Sequence, residues 1–347
     1  MNTQVLPPTK EALELASELL RNGQLVAFPT ETVYGLGANA LDEAAVRGIF
    51  SAKGRPADNP LIVHVSDAAS AEALCQLTPD ARKLMAAFCP GPLTLLLPKK
   101  NCILPVVNAG LPSVAIRIPN HPVAQALLHA SRLPIAAPSA NVSGRPSPTT
   151  AAHVRYDLHG RIPLILDGGT CQVGLESTVL DMTTNPPNLL RPGGISPEML
   201  LTVLPEVRVV DSVLRPMQEG EKPLSPGMMY RHYAPEAKLI LVKGQPGHVC
   251  NRCEALYREA TEQGVSVRIL VFEEHLPLYG EHPHLVPLGS LGNLEAVAQL
   301  LFSLLRQMDE DGAQLLLCEV PEPKGIGLAI LNRLCRAASF CMEDADQ

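Results

Sequence analysis

The sequence contains no tryptophan and only six phenylalanines and six tyrosines among 347 residues. Hydrophobic residues make up 46% of the chain, which is ordinary for a globular protein, so the cores must be mainly aliphatic. Proteins that bind single-stranded nucleic acid stack bases on aromatic side chains. The scarcity of aromatic residues therefore argues against a stacking surface of that kind.

Long apolar runs are also missing. No stretch reaches the roughly 18 apolar residues of a membrane-spanning helix, and residues 1–10 lack the apolar core of a signal peptide. The nine cysteines are an odd number, and we expect reduced thiols in the cytoplasm. Cys250 and Cys253 form a single Cys-x-x-Cys without a second pair, which favours a helix face over a metal or redox site.

The net charge of −7 is distributed unevenly. Residues 1–205 carry 15 basic and 15 acidic side chains and are neutral, whereas residues 206–347 carry 13 basic and 20 acidic ones. An acidic second half argues against broad electrostatic binding of nucleic acid. A local basic groove in the first half remains compatible with these numbers.

The length and the apolar pattern predict two α/β domains. In residues 1–205, strand-like runs such as Leu164–Leu166 and Thr178–Asp181 alternate with helices, and some strands follow one another closely, which predicts an open, twisted mixed sheet with helices. The residues predicted to cap the starts of helices are Thr9, Asp42, Thr78 and Ser196. Residues 206–236 are rich in proline and are predicted to be a linker. Residues 237–347 alternate regularly between strands and helices, which predicts a smaller Rossmann-like parallel domain. That domain lacks Gly-x-Gly-x-x-Gly after its first strand, so we expect no dinucleotide site.

Two separated segments carry groups suited to a polyphosphate ligand. Lys53 and Arg55 precede Asn59 and an apolar strand, and a point charge beside a planar fork can hold different phosphate oxygens. Ser139 and Asn141 follow another apolar strand, where they could bind a ligand or merely cap the next helix. In open α/β sheets, ligands bind at loops of this kind at the ends of strands.

Further polar residues lie in or beside apolar segments. Arg117 interrupts a strand, so it needs either a protein carboxylate or a ligand carboxylate as its partner. Arg191 ends a strand before a tight turn, and Ser177 begins another strand. His64 lies on an apolar strand, where a core histidine and a ligand-binding histidine are both compatible with the pattern. The Pro29–Gly37 segment, which includes Thr30, Thr32 and Tyr34, is predicted to be a glycine-rich loop that forms either a turn or a substrate wall.

These segments together resemble the YrdC-type domain of threonylcarbamoyl-AMP synthases. The second domain is similar to that of the longer, two-domain members of the family. The resemblance implies a reaction of ATP, L-threonine and bicarbonate or CO2 that yields threonylcarbamoyl-adenylate and pyrophosphate. It implies Mg2+ held through the ATP phosphates, and a separate transferase complex that modifies tRNAs reading codons that begin with A. A weak direct contact with tRNA stays open.

The resemblance also assigns the site. Lys53 and Arg55 become the catalytic cations. ATP binding is assigned to Lys53, Arg55, Asn59, Ser139, Asn141 and Arg191. L-Threonine binding is assigned to Thr30, Thr32, Tyr34, His64, Arg117 and Ser177. In the linker, a segment that covers the pocket is assigned to Tyr230, Arg231, His232 and Tyr233, while Met229 stands where many members carry a basic residue.

Two alternatives belong to other functional classes. An RNA-binding or ribosome-assembly factor with a YrdC-type fold would use a basic surface, which the neutral first domain and acidic second domain disfavour. A carbamoyl-transfer module similar to those of hydrogenase maturation proteins would normally carry acylphosphatase-like and zinc-finger segments, and neither occurs in this sequence.

Overall fold

The computed structural model describes residues 2–57, 59–216 and 232–347. The described residues form two compact units. The first contains residues 2–143 and 147–213, and the second contains residues 144–146, 214–216 and 232–347. Tyr230 and Arg231, which we predicted to cover the pocket, lie outside the described residues, as does Met229.

The first unit is built on one large mixed sheet. Its strands are β1 (Gln4–Leu6), β2 (Val26–Phe28), β3 (Gly35–Asn39), β4 (Ile62–His64), β5 (Leu93–Pro98), β6 (Ser113–Arg117), β7 (Ile135–Ala136), β8 (Leu164–Leu166), β9 (Thr178–Asp181), β10 (Asn188–Arg191) and β11 (Arg208–Val209). They lie in the order β1-β8-β2-β3-β7-β4-β6-β5-β9-β10-β11. Strands β4 and β6 are parallel, whereas β3, β7 and β4 pair antiparallel in succession. The predicted mixed sheet is therefore confirmed.

Eight α-helices are described in the first unit, and a side chain caps the first turn of each except the short fifth one. They are α1 (Lys10–Arg21), α2 (Glu43–Lys53), α3 (Ala68–Leu74), α4 (Pro79–Phe88), α5 (Pro105–Asn108), α6 (Pro122–Ser131), α7 (Ala151–Leu158) and α8 (Pro197–Leu200). The side chains of Thr9, Asp42, Thr78 and Ser196 accept backbone N–H bonds at the starts of α1, α2, α4 and α8. Each of these four caps was predicted from the sequence.

Aliphatic cores cover both faces of the sheet. Val26 and Phe28 belong to the core formed with α1 and α6, while Ala27 belongs to the larger core formed with α2 and α4. This alternation is what a strand buried on both faces requires. The low aromatic content is thus compatible with close packing, because Leu, Ile, Val and Ala dominate both cores.

Strand β3 corrects the predicted loop at Pro29–Gly37. Its residues Gly35 and Gly37 suggested a turn, yet they lie in a strand between β2 and β7. A Cβ atom on Gly37 would lie 2.8 Å from Ile135 and 2.9 Å from Phe28. Glycine is needed here because neighbouring side chains pack directly against the backbone.

The second unit contains a five-stranded sheet in which every described pairing is parallel. Its strands are β12 (Lys238–Lys243), β13 (Val267–Phe272), β14 (Leu285–Gly289), β15 (Leu315–Glu319) and β16 (Met342–Asp344), in the order β14-β13-β15-β12-β16. Its helices are α9 (Pro246–Glu262), α10 (Leu276–Tyr279), α11 (Leu294–Glu310) and α12 (Ile326–Ala337). The predicted parallel α/β domain is confirmed. Cys250 and Cys253 lie on the buried face of α9, as the helix-face interpretation predicts.

Among the described residues, the structure contains no helix with both the length and the apolar composition needed to cross a membrane.

Candidate active site

Lys53 is the last residue of helix α2, whereas we predicted that it lies in the loop after that helix. Asp42 caps the start of α2, and Gly54 ends it in the left-handed conformation with φ 64°. The Lys53 side chain is only 1% exposed. Its ammonium group donates to the backbone oxygens of Ser139 and Asn141, the latter at 2.6 Å. The helix end therefore fixes a cation directly beneath the Ser139–Asn141 segment.

The Ser139–Asn141 segment is also bonded to the segment before β3. Gly35 and Ser139 form an antiparallel bridge, and the backbone N–H of Ala140 donates to the backbone oxygen of Tyr34 at 2.8 Å. The N–H of Leu36 donates to the Pro138 oxygen at 2.8 Å. Two segments that are about 100 residues apart in the sequence thus form one continuous backbone framework.

Thr30, Thr32 and Tyr34 are buried in this framework. The Thr30 hydroxyl donates to the Val33 oxygen at 2.7 Å and lies 2.8 Å from the Thr32 hydroxyl. The Tyr34 hydroxyl donates to the Gly169 oxygen at 2.8 Å, and burial raises the pKa of Tyr34. Its ring belongs to the main core of the first unit. The Tyr34 ring is therefore packed in the core behind the segment, and its assignment to threonine stays a prediction.

His64, Arg117 and Thr94 lie side by side across three strands. His64 of β4 and Thr94 of β5 are both register partners of Arg117 in β6. Burial, and secondarily the nearby Arg117 cation, lowers the pKa of His64 to about 3, so its imidazole is neutral at physiological pH. Its Nδ1 atom is buried without a hydrogen-bond partner in the described part of the chain. This row supplies a cation, a hydroxyl and a neutral ring nitrogen on one face.

Arg117 has a protein carboxylate as its neighbour. Its Nη2 atom lies 2.8 Å from Oε1 of Glu31, and both side chains are 5% exposed. The other carboxylate oxygen of Glu31 accepts the N–H of Asn120 at 3.0 Å. A protein carboxylate was one of the two partners that the sequence left open for Arg117, without identifying Glu31. The signal was present, because a buried arginine needs a carboxylate and Glu31 stands within the Pro29–Gly37 segment.

Ser177 and Arg191 form a second polar group on the neighbouring strands. The Ser177 hydroxyl lies 2.7 Å from that of Thr94 and accepts from Nη2 of Arg191 at 3.2 Å. Nε of Arg191 donates to the backbone oxygen of Ser177 at 3.0 Å. A Cβ atom on Gly193 would lie 2.4 Å from the Thr178 nitrogen, so glycine is required where this turn passes the start of β9.

Arg55 and Asn59 lie between α2 and β4. Nη2 of Arg55 donates to the Pro60 oxygen at 3.3 Å. The side-chain oxygen and nitrogen of Asn59 are buried, and neither has a hydrogen-bond partner among the described residues. Buried amides are nearly always hydrogen-bonded, so Asn59 suits a ligand that supplies the missing bonds.

His232 and Tyr233 belong to the second unit. Tyr233 is 5% exposed, its ring stacks on Phe302 at a centroid distance of 5.3 Å, and the Arg333 guanidinium lies 5.4 Å from its centroid. The His232 and Tyr233 ring centroids are 5.7 Å apart. Tyr233 is therefore anchored between α11 and α12 in this structure. Its assignment to the segment that covers the pocket stays a prediction.

The chain is similar to known proteins along both of its parts. A family model described as telomere recombination matches residues 18–193, and a model of the threonylcarbamoyl-AMP synthase C-terminal domain matches residues 195–339. The threonylcarbamoyl-AMP synthases of Pyrococcus abyssi and Bacillus subtilis are 46% and 47% identical to this chain. The first match covers 94% of each protein, and the second covers 97% of this chain and 95% of the relative.

A solved structure of the Pyrococcus abyssi Sua5 protein complexed with L-threonine matches with a TM-score of 0.91 and 44% identity. The match covers 99% of this chain and 98% of that one. Each of these relatives therefore matches both domains of the chain. The chain belongs to the two-domain threonylcarbamoyl-AMP synthase family.

Proposed function

We propose that the protein is a nucleotidyltransferase that joins L-threonine, bicarbonate or CO2, and ATP into threonylcarbamoyl-AMP and pyrophosphate. The observation that carries the proposal is the Lys53 ammonium group fixed beside the Ser139–Asn141 segment. It occurs in a chain whose relatives over nearly its full length are named threonylcarbamoyl-AMP synthases. The residues assigned to the amino acid and those assigned to the polyphosphate occur in the same unit.

For ATP, we assign the phosphates to Lys53, Arg55 and Arg191. Ser139, Asn141 and the unsatisfied amide of Asn59 supply neutral hydrogen-bonding groups for the remainder of the nucleotide. This division follows the chemistry, because cations match phosphate oxygens and amides or hydroxyls match uncharged polar groups.

For L-threonine, we assign the carboxylate to Arg117. His64 and Ser177 lie on the same face as Arg117, and His64 is neutral, so it can exchange hydrogen bonds without adding charge. Thr30 and Thr32 border this region through the segment that precedes β3.

The reaction needs positioning and charge stabilisation more than acid–base catalysis. The amine of threonine combines with CO2 to form a carbamate, whose oxygen attacks the α-phosphorus while pyrophosphate leaves. Negative charge then builds on the phosphates, and cations fixed in advance stabilise that transition state without reorganising. Lys53 meets this requirement because backbone oxygens already hold its ammonium group in place.

We propose that Mg2+ enters as the complex with ATP and belongs to the substrate. The residues assigned to the phosphates are lysine, arginine, asparagine and serine, whereas Mg2+ prefers carboxylate oxygens among protein ligands. Among the described residues, no group of three acidic, histidine or cysteine side chains could hold a metal ion. On this proposal, the protein supplies cations around a metal that the nucleotide carries.

We further propose that residues 225–235 exclude water from the carbamate, which hydrolyses readily. His232 and Tyr233 supply the described end of this segment, and the stacking of Tyr233 on Phe302 gives it a fixed attachment. The product would pass to a separate cytoplasmic transferase complex that modifies tRNA.

Pyrophosphate release tests the proposed function directly. We expect release only when L-threonine, bicarbonate and MgATP are all present, with each omission returning the rate to background. Release that does not depend on threonine would contradict the proposal. Binding of RNA without any release would favour the RNA-binding alternative.

A further inference from the structure

The residues assigned to threonine contain a receptor for its carboxylate but none for its amine. The assigned set consists of Thr30, Thr32, Tyr34, His64, Arg117 and Ser177, and none of these side chains is acidic. At neutral pH an amino acid enters as a zwitterion, whose ammonium group loses its hydration when it is buried. A buried ammonium group requires a carboxylate or several neutral acceptors.

The neutral acceptors nearby are already engaged. The Thr30 hydroxyl donates to Val33 and contacts Thr32, and the Tyr34 hydroxyl donates to Gly169. The Ser177 hydroxyl is bonded to Thr94 and Arg191. These contacts leave few lone pairs for an ammonium group.

Glu31 supplies the missing carboxylate. Its Oε2 atom accepts the N–H of Asn120, whereas its Oε1 atom is buried without a well-aligned hydrogen bond among the described residues. Oε1 lies 2.8 Å from Nη2 of Arg117, yet both Nη2 and Nε of Arg117 also lack an aligned acceptor there. The carboxylate and the guanidinium are close enough to attract each other, but their geometry does not form a well-aligned hydrogen bond.

The lack of a well-aligned hydrogen bond between the two groups is unusual for a purely structural ion pair. Buried charged groups are normally fully hydrogen-bonded, because an unsatisfied one retains its desolvation penalty. A zwitterion has the same two charges at a similar spacing and can satisfy both members at once.

We propose that Glu31 binds the ammonium group of the amino-acid substrate while Arg117 binds its carboxylate. The buried pair then recognises an α-amino acid as a zwitterion and adds no net charge to the site. This inference rests on the proposed function, because it concerns the threonine that the reaction consumes.

The test compares L-threonine with 3-hydroxybutyrate, which is threonine without the amine. Dissociation constants for both ligands are measured by ligand-observed NMR titration for the wild-type protein and Glu31→Gln. We expect Glu31→Gln to weaken L-threonine binding by about tenfold to a hundredfold, the range for a hydrogen bond to a charged group. Binding of 3-hydroxybutyrate should be unchanged or stronger, because it has no ammonium group to lose.

Two further variants separate ligand binding from folding. Asp181→Asn alters another buried carboxylate of the same unit, one that accepts from Thr183, and should leave the affinity for L-threonine unchanged. Glu31→Asp keeps the charge on a shorter side chain and should recover part of the affinity that Glu31→Gln loses.

Equal weakening of both ligands by Glu31→Gln would overturn the inference, because Glu31 would then act only by holding Arg117. The inference is also overturned if Glu31→Asp binds L-threonine as weakly as Glu31→Gln. If the wild-type protein does not bind L-threonine at all, the proposed function itself fails.

Discussion

The ammonium group of Lys53 lies 2.6 Å from the backbone oxygen of Asn141 and 3.4 Å from its side-chain oxygen. The N–H of Ser143 returns a bond to the Lys53 oxygen at 3.0 Å. The end of α2 and the segment after β7 therefore hold each other. Lys53 therefore supports the neighbouring segment, and we propose that it is also a cation of the active site.

Replacing Lys53 should impair both activity and stability. We expect Lys53→Met to lower pyrophosphate release on the order of a hundredfold, because a fixed cation is lost. It should also lower the free energy of unfolding by about 1–3 kcal/mol, because buried carbonyl groups lose their donor. The fold should survive. Urea denaturation and a pyrophosphate assay measure the two effects.

Arg47→Met is the matched control for Lys53→Met. Arg47 lies on the same helix but is exposed and pairs with Glu43. Its loss should change stability by less than about 1 kcal/mol, since exposed ion pairs contribute little. A folded Lys53→Met protein with near-normal pyrophosphate release would contradict the catalytic assignment.

Gly193→Ala should displace the start of β9. The new Cβ would lie 2.4 Å from the Thr178 nitrogen and 2.5 Å from the Glu176 oxygen, and backbone atoms cannot rotate away. We expect a loss of about 1–3 kcal/mol in the free energy of unfolding, as for other overpacked sites. Pyrophosphate release at a temperature where the variant is folded should also fall, because Ser177 moves.

The control for this substitution is Gly247→Ala, since a Cβ on Gly247 meets no atom within 4 Å. It should leave both measurements near the wild-type values. Unchanged release by folded Gly193→Ala would show that the position of Ser177 is not critical.

His64 should make the protein less stable in mild acid. Its pKa is lowered to about 3 in the folded state, so the unfolded state binds a proton first as the pH falls below about 6.5. The folded state therefore loses stability progressively between about pH 6.5 and pH 3, by about 2 kcal/mol at pH 5. The measurement is urea denaturation of the wild-type protein and His64→Gln across this range. Parallel pH profiles for the two proteins would show that His64 does not titrate in this way.

Tyr233→Ala should destabilise the second unit. The substitution removes a ring that stacks on Phe302 and lies under Arg333, and we expect a loss of about 3 kcal/mol, as for other buried aromatic residues. Tyr233→Phe keeps the ring and should cost much less. Urea denaturation monitored by amide exchange in α11 and α12 measures both. Equal stability of the two variants would mean that the stacking contributes nothing.

The proposed cover should respond to ligands. We expect ATP together with L-threonine to protect the amides of residues 225–235 from hydrogen exchange, because a closed segment excludes water. ATP alone should protect them less. If neither ligand changes exchange in this segment, the segment serves only as a tether between the units.

Many of the strands and capped helices were predicted from the sequence, because both depend on local signals. The limits of strands Leu164–Leu166 and Thr178–Asp181 agree with prediction, and each predicted cap accepts its backbone bond. Strand β3 could not be predicted locally. Its glycines disfavour a strand, and only the packing of Phe28 and Ile135 against Gly37 makes them necessary.

The site was predicted in part. The pairing of Lys53 with Ser139 and Asn141 followed from their resemblance to a known motif, and the structure brings them together. The Glu31–Arg117 pair could not be identified from the sequence, because the two residues are 86 positions apart. They meet only in the folded chain, where the end of β6 lies beside the Pro29–Gly37 segment. The buried position of Tyr34 likewise depends on its long-range bond to Gly169.

The bridge between Gly35 and Ser139 has a thermodynamic consequence. We assign the segment of Gly35 to the amino acid and the segment of Ser139 to the nucleotide. Because the two segments share backbone bonds, a ligand that orders one should also order the other. The second ligand then loses less conformational entropy when it binds. Such coupling is reciprocal, and threonine and ATP should therefore lower each other's dissociation constant by the same factor.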